Sequence, residues 1–227
     1  MELTICRRPL DQIHKADNPR SNRKPATLQK KHITMKILKS LIRKALNCLG
    51  LEVSKIYPER QAIIEAKKHF NNKSIIACEI GIYDGEHALE MFKHLNISKF
   101  YLIDPYTKYD YVDDNLYKRL QKAKKNAHQL LAPYQDKIVW IEEYSDNALP
   151  HIKEPLDMVY IDGNHYSPYV DNDIENYYKI VAEGGVISGH DYSWIGWPDV
   201  ANAVHAFIIR ENKKLIFGRG LDWVVFR

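Results

Sequence analysis

Apolar positions along residues 58–227 fall alternately into short continuous runs and longer stretches with helical spacing. Short apolar runs between glycine or polar residues predict buried strands, and a period near 3.6 predicts amphipathic helices. Strands are predicted at 74–80, 99–104, 137–142, 156–162, 184–190, 214–217 and 222–226. Helices are predicted at about 59–70, 85–95, 113–132, 168–182 and 198–210.

This alternation predicts the fold class. Strands that alternate with helices build a parallel sheet through right-handed crossovers. The last connection, residues 218–220, is too short for a crossover, so the final two strands are predicted to form an antiparallel hairpin. The sequence therefore predicts an α/β protein with a doubly wound, mostly parallel seven-stranded sheet and an antiparallel C-terminal hairpin.

The N-terminal quarter has a different pattern. Residues 1–34 lack apolar periodicity and are rich in Arg, Lys, Asn and Pro, which predicts a disordered basic extension. Residues 35–57 are predicted to contain an amphipathic basic helix, with apolar positions repeating between 37 and 49. Two roles stay open for the segment 36–49: docking on the domain or on a second copy in a homo-oligomer, or peripheral contact with an anionic membrane.

Charge is distributed unevenly along the chain. The formal net charge is +4, yet residues 1–57 carry a net +9 and residues 58–227 a net −5. A mildly acidic domain argues against a nucleic-acid groove across it. The three cysteines are scattered without metal or disulfide spacing, and no apolar run approaches a membrane span. We therefore expect a cytoplasmic protein, with peripheral membrane contact as the alternative.

A glycine loop follows the first predicted strand of the domain. Glu79 ends the apolar run, and Gly81 and Gly85 precede a helix whose free N–H groups face the loop. Such a turn binds a nucleotide-like cofactor at the carboxyl end of the strand, and Asp104 ends the next strand, where an acid takes ribose hydroxyls. The spacing G-x-x-x-G differs from the G-x-G-x-x-G of dinucleotide sites, which favours S-adenosylmethionine (SAM) over NAD.

Two further strands end in acids at the same predicted edge. Asp162 and Asp191 are one βαβ unit apart and can converge into a site for a hard cation of the Mg²⁺ type. His165, three residues after Asp162, can reach a substrate hydroxyl and suits a general base. The aromatic residues that follow are candidates for an acceptor pocket: Tyr166, Tyr192, Trp194 and Trp197.

Together these motifs resemble the class I SAM-dependent methyltransferases. The resemblance covers about 72–227 and rests on E-I-G-x-x-x-G, I-D, I-D-G-N-H and G-G-V-I-S-G-H-D-Y in order. Within this class, the motifs resemble most those of the branch that includes the macrocin- and mycinamicin-type sugar O-methyltransferases. It implies that SAM is held by Glu79, Gly81, Gly85 and Asp104, and that its adenine is lined by Tyr144, Ser145 and Asp146.

The resemblance also implies the chemistry of the second half of the site. The metal would be held by Asp162, His190 and Asp191, with His165 as the base. His190 stands where an acid is usual, and because an imidazole is a softer ligand than a carboxylate, Mg²⁺, Mn²⁺ and a metal-free site stay open.

The predicted function is methyl transfer from SAM to a hydroxyl of a sugar, glycan, natural product or small phenol. Two alternatives remain: a catalytically degenerate scaffold or adaptor acting through the basic helix, and a nicotinamide-dependent oxidoreductase on a similar sheet.

Overall fold

The computed structural model describes residues 59–107 and 113–227, apart from the side chain of Arg219. The predicted basic extension 1–34 and the predicted helix 35–57 lie outside these residues and stay predictions. Among the described residues, none of the helices combines the length and the apolar character that crossing a membrane requires.

The sheet has seven strands in the order β3-β2-β1-β4-β5-β7-β6. These strands are β1 (Ile75–Ile80), β2 (Ile97–Ile103), β3 (Ile138–Ile141), β4 (Leu156–Ile161), β5 (Val181–Gly189), β6 (Ile216–Phe217) and β7 (Trp223–Phe226). The first five pair in parallel, and β7 runs antiparallel between β5 and β6. The prediction of a mostly parallel sheet with a reversed C-terminal strand is confirmed.

Helices cover both faces of this sheet. They are α1 (Gln61–Phe70), α2 (Glu86–His94), α3 (Asp114–Leu131), α4 (Ser145–Ala148), α5 (Tyr169–Ile180) and α6 (Pro198–Arg210). Met91 of α2 and Phe100 of β2 belong to one buried apolar cluster, whereas Ile174 of α5 and Val204 of α6 belong to another. Successive side chains of a strand point to opposite faces, so each central strand contributes to both clusters.

Strand β5 begins earlier than the sequence predicts. Val181 already has an extended backbone and pairs with Leu156, so α5 ends at Ile180 rather than at 182. The register then shifts, and Gly184 adopts a positive φ of 74°. The sequence predicts the helix to continue to residue 182 because Val181 and Ala182 continue its apolar spacing. Helix α4 was not predicted, since four residues carry no periodic signal.

Candidate functional site

The glycine loop brings the ends of β1 and β4 into close contact. Gly81 has a φ of 85°, and its backbone N–H donates to the Ile103 carbonyl at 2.8 Å. A Cβ at Gly81 would lie 2.1 Å from the carbonyl oxygen of Asp162. Gly85, with a φ of 81°, precedes the first residue of α2. The predicted cofactor loop therefore packs directly on the backbone of the predicted catalytic segment.

Asp104 fixes the conformation of this loop. One carboxylate oxygen accepts hydrogen bonds from the backbone N–H groups of Ile82 and Tyr83, each at 3.0 Å. The other accepts the N–H of Tyr106 at 2.9 Å. Burial raises the pKa of Asp104, and these three bonds only partly oppose the rise. The contact with a ribose, predicted from sequence, stays a prediction; the oxygen that accepts only the N–H of Tyr106 keeps a further acceptor direction for it.

Glu79 is buried beside the loop and is paired with a histidine. Its carboxylate is 3.0 Å from Nδ1 of His87 on α2. Burial raises the pKa of Glu79, and the contact with His87 opposes this. The second carboxylate oxygen of Glu79 and Nε2 of His87 are buried and have no hydrogen-bond partner. Buried polar atoms without partners are costly, so these two atoms point to a ligand that would satisfy them.

The residues predicted to line an adenine follow β3. The hydroxyl of Ser145 donates to Asp173 of α5, and the side-chain amide of Asn176 donates to Asp146 at 3.4 Å. Tyr144 is about half exposed. Asp173 is buried, and burial raises its pKa to about 7, which the bond from Ser145 limits. The sequence did not point to Asp173, because an acid on an amphipathic helix usually faces solvent.

The structure brings the four predicted proton-transfer and metal residues together at the carboxyl ends of β4 and β5. Nε2 of His165 lies 2.8 Å from Asp191 and 3.4 Å from Asp162. Nδ1 of His190 lies 3.3 Å from Asp191 and 3.6 Å from Asp162. Each side chain is about one-fifth exposed, so the cluster is accessible from one side.

Opposite charges set the protonation of this cluster. Burial would lower the pKa of both histidines, but the contacts with Asp162 and Asp191 raise each pKa to about 9. Burial would raise the pKa of both aspartates, but the two histidines hold each pKa below its usual value. Both imidazoles are therefore protonated on both ring nitrogens at neutral pH in the protein alone. In that positively charged state neither can act as a base.

The donor atoms also fit a divalent cation. Asp162, His165 and Asp191 offer one ligand atom each within 4.8 Å of one another, so His165 stands in this set where the sequence predicts His190. Nδ1 of His190 lies 3.3 Å from Asp191 and 3.6 Å from Asp162. Ligands bound to one ion at about 2.0–2.2 Å are at most about 4.4 Å apart, and the distances of 2.8 and 3.4 Å from His165 to the two aspartates lie within this limit. Nε2 of His165 faces both carboxylates, so this nitrogen would offer a lone pair to an ion or accept a hydroxyl proton only when the imidazole is neutral.

The predicted acceptor aromatics form two groups. Trp197 stacks on His165 with ring centroids 4.6 Å apart, and Tyr166 meets Trp197 edge-on at 5.9 Å. Tyr192 and Trp194 instead contact each other, and Tyr192 also contacts Phe217. Trp197 and, through it, Tyr166 therefore flank the His165 cluster, while Tyr192 contacts Phe217 of β6 and Trp194 contacts Tyr192.

Sequence analysis missed a polar group on the other face of the same edge. Nη1 of Arg60 donates to the Tyr160 hydroxyl at 2.6 Å, and Tyr160 donates to Asp222 at 2.9 Å. Asp222 is fully buried and accepts the N–H of Ala62 at the start of α1. The available signal was topological: a reversed β7 begins at the carboxyl edge, so the acid before it lies at the same edge as the candidate site.

We expect the cation-free protein to lose stability as pH rises from about 6.5 towards 9.5. The pKa of His165 and His190 is raised to about 9 by folding, so their contribution is complete below the unfolded value and disappears through pH 9. The expected loss is on the order of 2 kcal/mol, or about 5 °C in Tm, measured by thermal melts with a chelator present. The double substitution His165→Asn and His190→Asn should flatten this slope, whereas His151→Asn, an exposed histidine beside Glu143, should not.

Comparisons with known proteins agree with this geometry. Residues 78–192, about half of the chain, match the model of a family described as a methyltransferase domain. A protein of Acanthamoeba polyphaga mimivirus, uncharacterized protein R132, is 31% identical over 145 residues. That match covers 61% of this chain and 62% of the relative, so this chain spans under two thirds of the relative's length.

Solved structures show the same fold at low sequence identity. The O-methyltransferase NovP has a TM-score of 0.56 at 16% identity, covering 74% of this chain and 77% of its own. An O-methyltransferase from Bacillus cereus in complex with SAH has a TM-score of 0.52 at 12% identity, covering 83% and 90%. An rRNA methylase from Streptococcus thermophilus has a TM-score of 0.52 at 13% identity, covering 76% and 97%. The chain therefore belongs to the family of methyltransferase domains, with the Rossmann-like fold of the SAM-dependent enzymes.

Proposed function

We propose that this protein transfers the methyl group of SAM to a hydroxyl of a sugar, a glycan or a related small natural product. The observation that carries the proposal is the contact between the two halves of the site. Gly81 of the cofactor loop lies against the carbonyl of Asp162, so a ligand on the loop meets the His165 cluster. The macrocin- and mycinamicin-type branch is the one whose motif order the sequence resembles most.

The cofactor extends along the carboxyl edge in this proposal. Tyr144, Ser145 and Asp146 after β3 would hold its adenine, and Asp104 after β2 would hold its ribose. Glu79, Gly81 and Gly85 would hold the remainder at the end of β1. SAM supplies an electrophilic methyl carbon; the chain contributes alignment of an acceptor oxygen with that carbon.

In this proposal His165 is the general base that takes the proton of the substrate hydroxyl. Its Nε2 lies 2.8 Å from Asp191, and its ring stacks on Trp197 with the two planes 28° apart. Asp162 and Asp191 raise the pKa of His165, so the imidazole becomes neutral near pH 7 only when another cation takes over the contacts with these two carboxylates. A dication held by Asp162, His190 and Asp191 would satisfy them and would lower the pKa of a nearby hydroxyl.

The acceptor surface supports a flat or ring-shaped hydroxyl compound. Tyr166 is 59% exposed at the mouth of the cluster and meets Trp197 edge-on. Aromatic faces of this kind pack against sugar and phenol rings. The net charge of −5 over residues 58–227 argues against a nucleic acid as the acceptor. A cytoplasmic location, homo-oligomerisation and peripheral membrane contact through 36–49 stay part of the proposal.

The test is isothermal titration with SAM, S-adenosylhomocysteine and NAD, with and without Mg²⁺ or Mn²⁺, followed by a labelled-methyl screen of sugars and phenols. We expect binding of the first two ligands and labelled product with a hydroxyl acceptor. Binding of NAD instead would support the oxidoreductase alternative. Binding of none of the three would favour a degenerate scaffold.

A further inference from the structure

Helix α3 concentrates positive charge in a part of the chain that is otherwise acidic. It contains five Lys and Arg residues and one Asp, a net charge of +4. Residues 58–227 carry net −5 in total, which leaves −9 for the rest of them. The charge of the sheet domain is therefore segregated, with α3 as a basic element on an acidic body.

Four of these cations form one stripe on the side of α3 that faces away from the core. The buried positions of α3 are Ala123, Ala127 and Leu131. The exposed cations are Lys118, Arg119, Lys122 and Lys125. At 3.6 residues per turn, the three lysines lie opposite the buried positions within a sector about 60° wide, and the arginine lies beside them. These four residues are called the basic stripe below.

The basic stripe has no compensating acids. In the part of the chain that the structure describes, no carboxylate pairs with any of its four side chains. By contrast, the exposed Lys68 of α1 and Lys93 of α2 contact acids at 2.9 and 2.8 Å, and Lys124 of α3 itself contacts Glu142 at 2.5 Å. Like charges one turn apart repel each other and destabilise a helix. An unpaired row of this kind therefore points to an anionic partner.

The chemistry of the stripe indicates which partner this is. All the exposed residues of α3 are polar, so the stripe offers neither the apolar anchors of a protein interface nor the aromatic faces that stack on nucleic-acid bases. An anionic bilayer requires neither, because each lysine near its surface contributes through charge alone. We propose that the basic stripe of α3 binds the surface of a membrane that contains anionic lipids.

The stripe lies beside the edge of the sheet that carries the candidate site. Lys124 contacts Glu142, the first residue after β3, and the side-chain amide of Gln121 donates to the carbonyl of Tyr106, beyond the end of β2. A membrane held by this helix therefore lies close to the carboxyl edge. The inference does not rest on the proposed function, because vesicle binding requires no cofactor, and it is separate from the contact predicted for 36–49.

The test is co-sedimentation of the full chain with vesicles of phosphatidylcholine alone or mixed with phosphatidylserine. We expect binding to the mixed vesicles only. The triple substitution Lys118→Gln, Lys122→Gln and Lys125→Gln should weaken this binding about 100-fold, or about five-fold for each lysine removed. Glutamine keeps the helix propensity, so Tm should not fall. Amine labelling followed by mass spectrometry should show these three lysines protected by the mixed vesicles, and Lys68 and Lys93 not.

A matched variant separates the stripe from the net charge. Lys67→Gln, Lys68→Gln and Lys93→Gln together remove the same charge from exposed lysines that are paired with acids, and should leave vesicle binding nearly unchanged. Equal weakening by the two triple variants overturns the proposal, since net charge alone would then explain binding. A wild type that binds neither kind of vesicle, or both equally, also overturns it.

Two further outcomes would assign the binding elsewhere. Unchanged vesicle binding in the stripe variant overturns the role of α3 and leaves 36–49 as the predicted membrane contact. A single-stranded RNA that binds more tightly than the mixed vesicles, and loses its affinity in the stripe variant, would assign the basic stripe to nucleic acid and overturn the membrane proposal.

Discussion

Gly81→Ala is expected to lower the free energy of unfolding by about 3 kcal/mol or more and Tm by about 10 °C. The alanine Cβ would lie 2.1 Å from the Asp162 oxygen and 2.9 Å from the Cα of Gly163, both of them backbone atoms. The φ of 85° adds the strain of a left-handed conformation. Because the loop and β4 must move apart, we also expect SAM binding to be lost. Thermal melts and titration of the variant measure the two effects.

Gly184→Ala is the matched control. Gly184 has a similar φ of 74°, but no heavy atom lies within 4 Å of its would-be Cβ. It therefore carries the conformational cost without the clash, about 1 kcal/mol, and should leave SAM affinity unchanged. Equal destabilisation by the two substitutions would show that the close approach of Gly81 to Asp162 does not contribute.

His165→Ala is expected to reduce turnover by about 10²- to 10⁴-fold, the range for loss of a general base, while SAM still binds. His165 lies after β4, whereas the residues proposed to hold SAM belong to β1, β2 and the segment after β3. The measurement is single-turnover methyl transfer at saturating SAM, together with a SAM titration. Partial recovery of the rate on adding free imidazole would identify the missing group as a proton acceptor.

His190→Ala separates the base from a metal ligand. His165 and His190 contact the same two carboxylates, so each is a candidate ligand by position. If His165 is the base, Mn²⁺ affinity measured by paramagnetic resonance should fall in His190→Ala and persist in His165→Ala. The reverse pattern would exchange the two roles. Full turnover of His165→Ala would remove this residue from the mechanism.

Much of the fold was readable from the sequence because the buried strands are uninterrupted apolar runs. β1 and β4 lie in the middle of the sheet and are buried on both faces, which leaves a continuous signal. The sequence placed the ends of helices and strands wrongly where the local apolar spacing and the pairing of strands in the sheet disagree. β5 begins at Val181 because that residue pairs with Leu156, a contact 25 positions away that no local pattern contains.

The site was predictable where a topological rule applies. Parallel strands end at one edge, so Asp104, Asp162 and Asp191 could be placed together from their positions after apolar runs. The rule does not give side-chain partners. Asp104 accepts three backbone N–H groups only because the glycine loop turns back towards it, and no pattern in the sequence shows this turn. Arg60 and Asp222 meet across 162 positions of sequence, so neither carries a local signal.

The place of β7 inside the sheet has a consequence for the growing chain. β7 leaves the ribosome after the other six strands of this sheet, yet it fills the gap between β5 and β6. Until it emerges, β5 has a bare edge from Val186 to Gly189, and Arg60 has no Asp222 to meet. A nascent chain can therefore bury β1 to β4 early, but its ligand-binding edge is completed only when synthesis has passed residue 226.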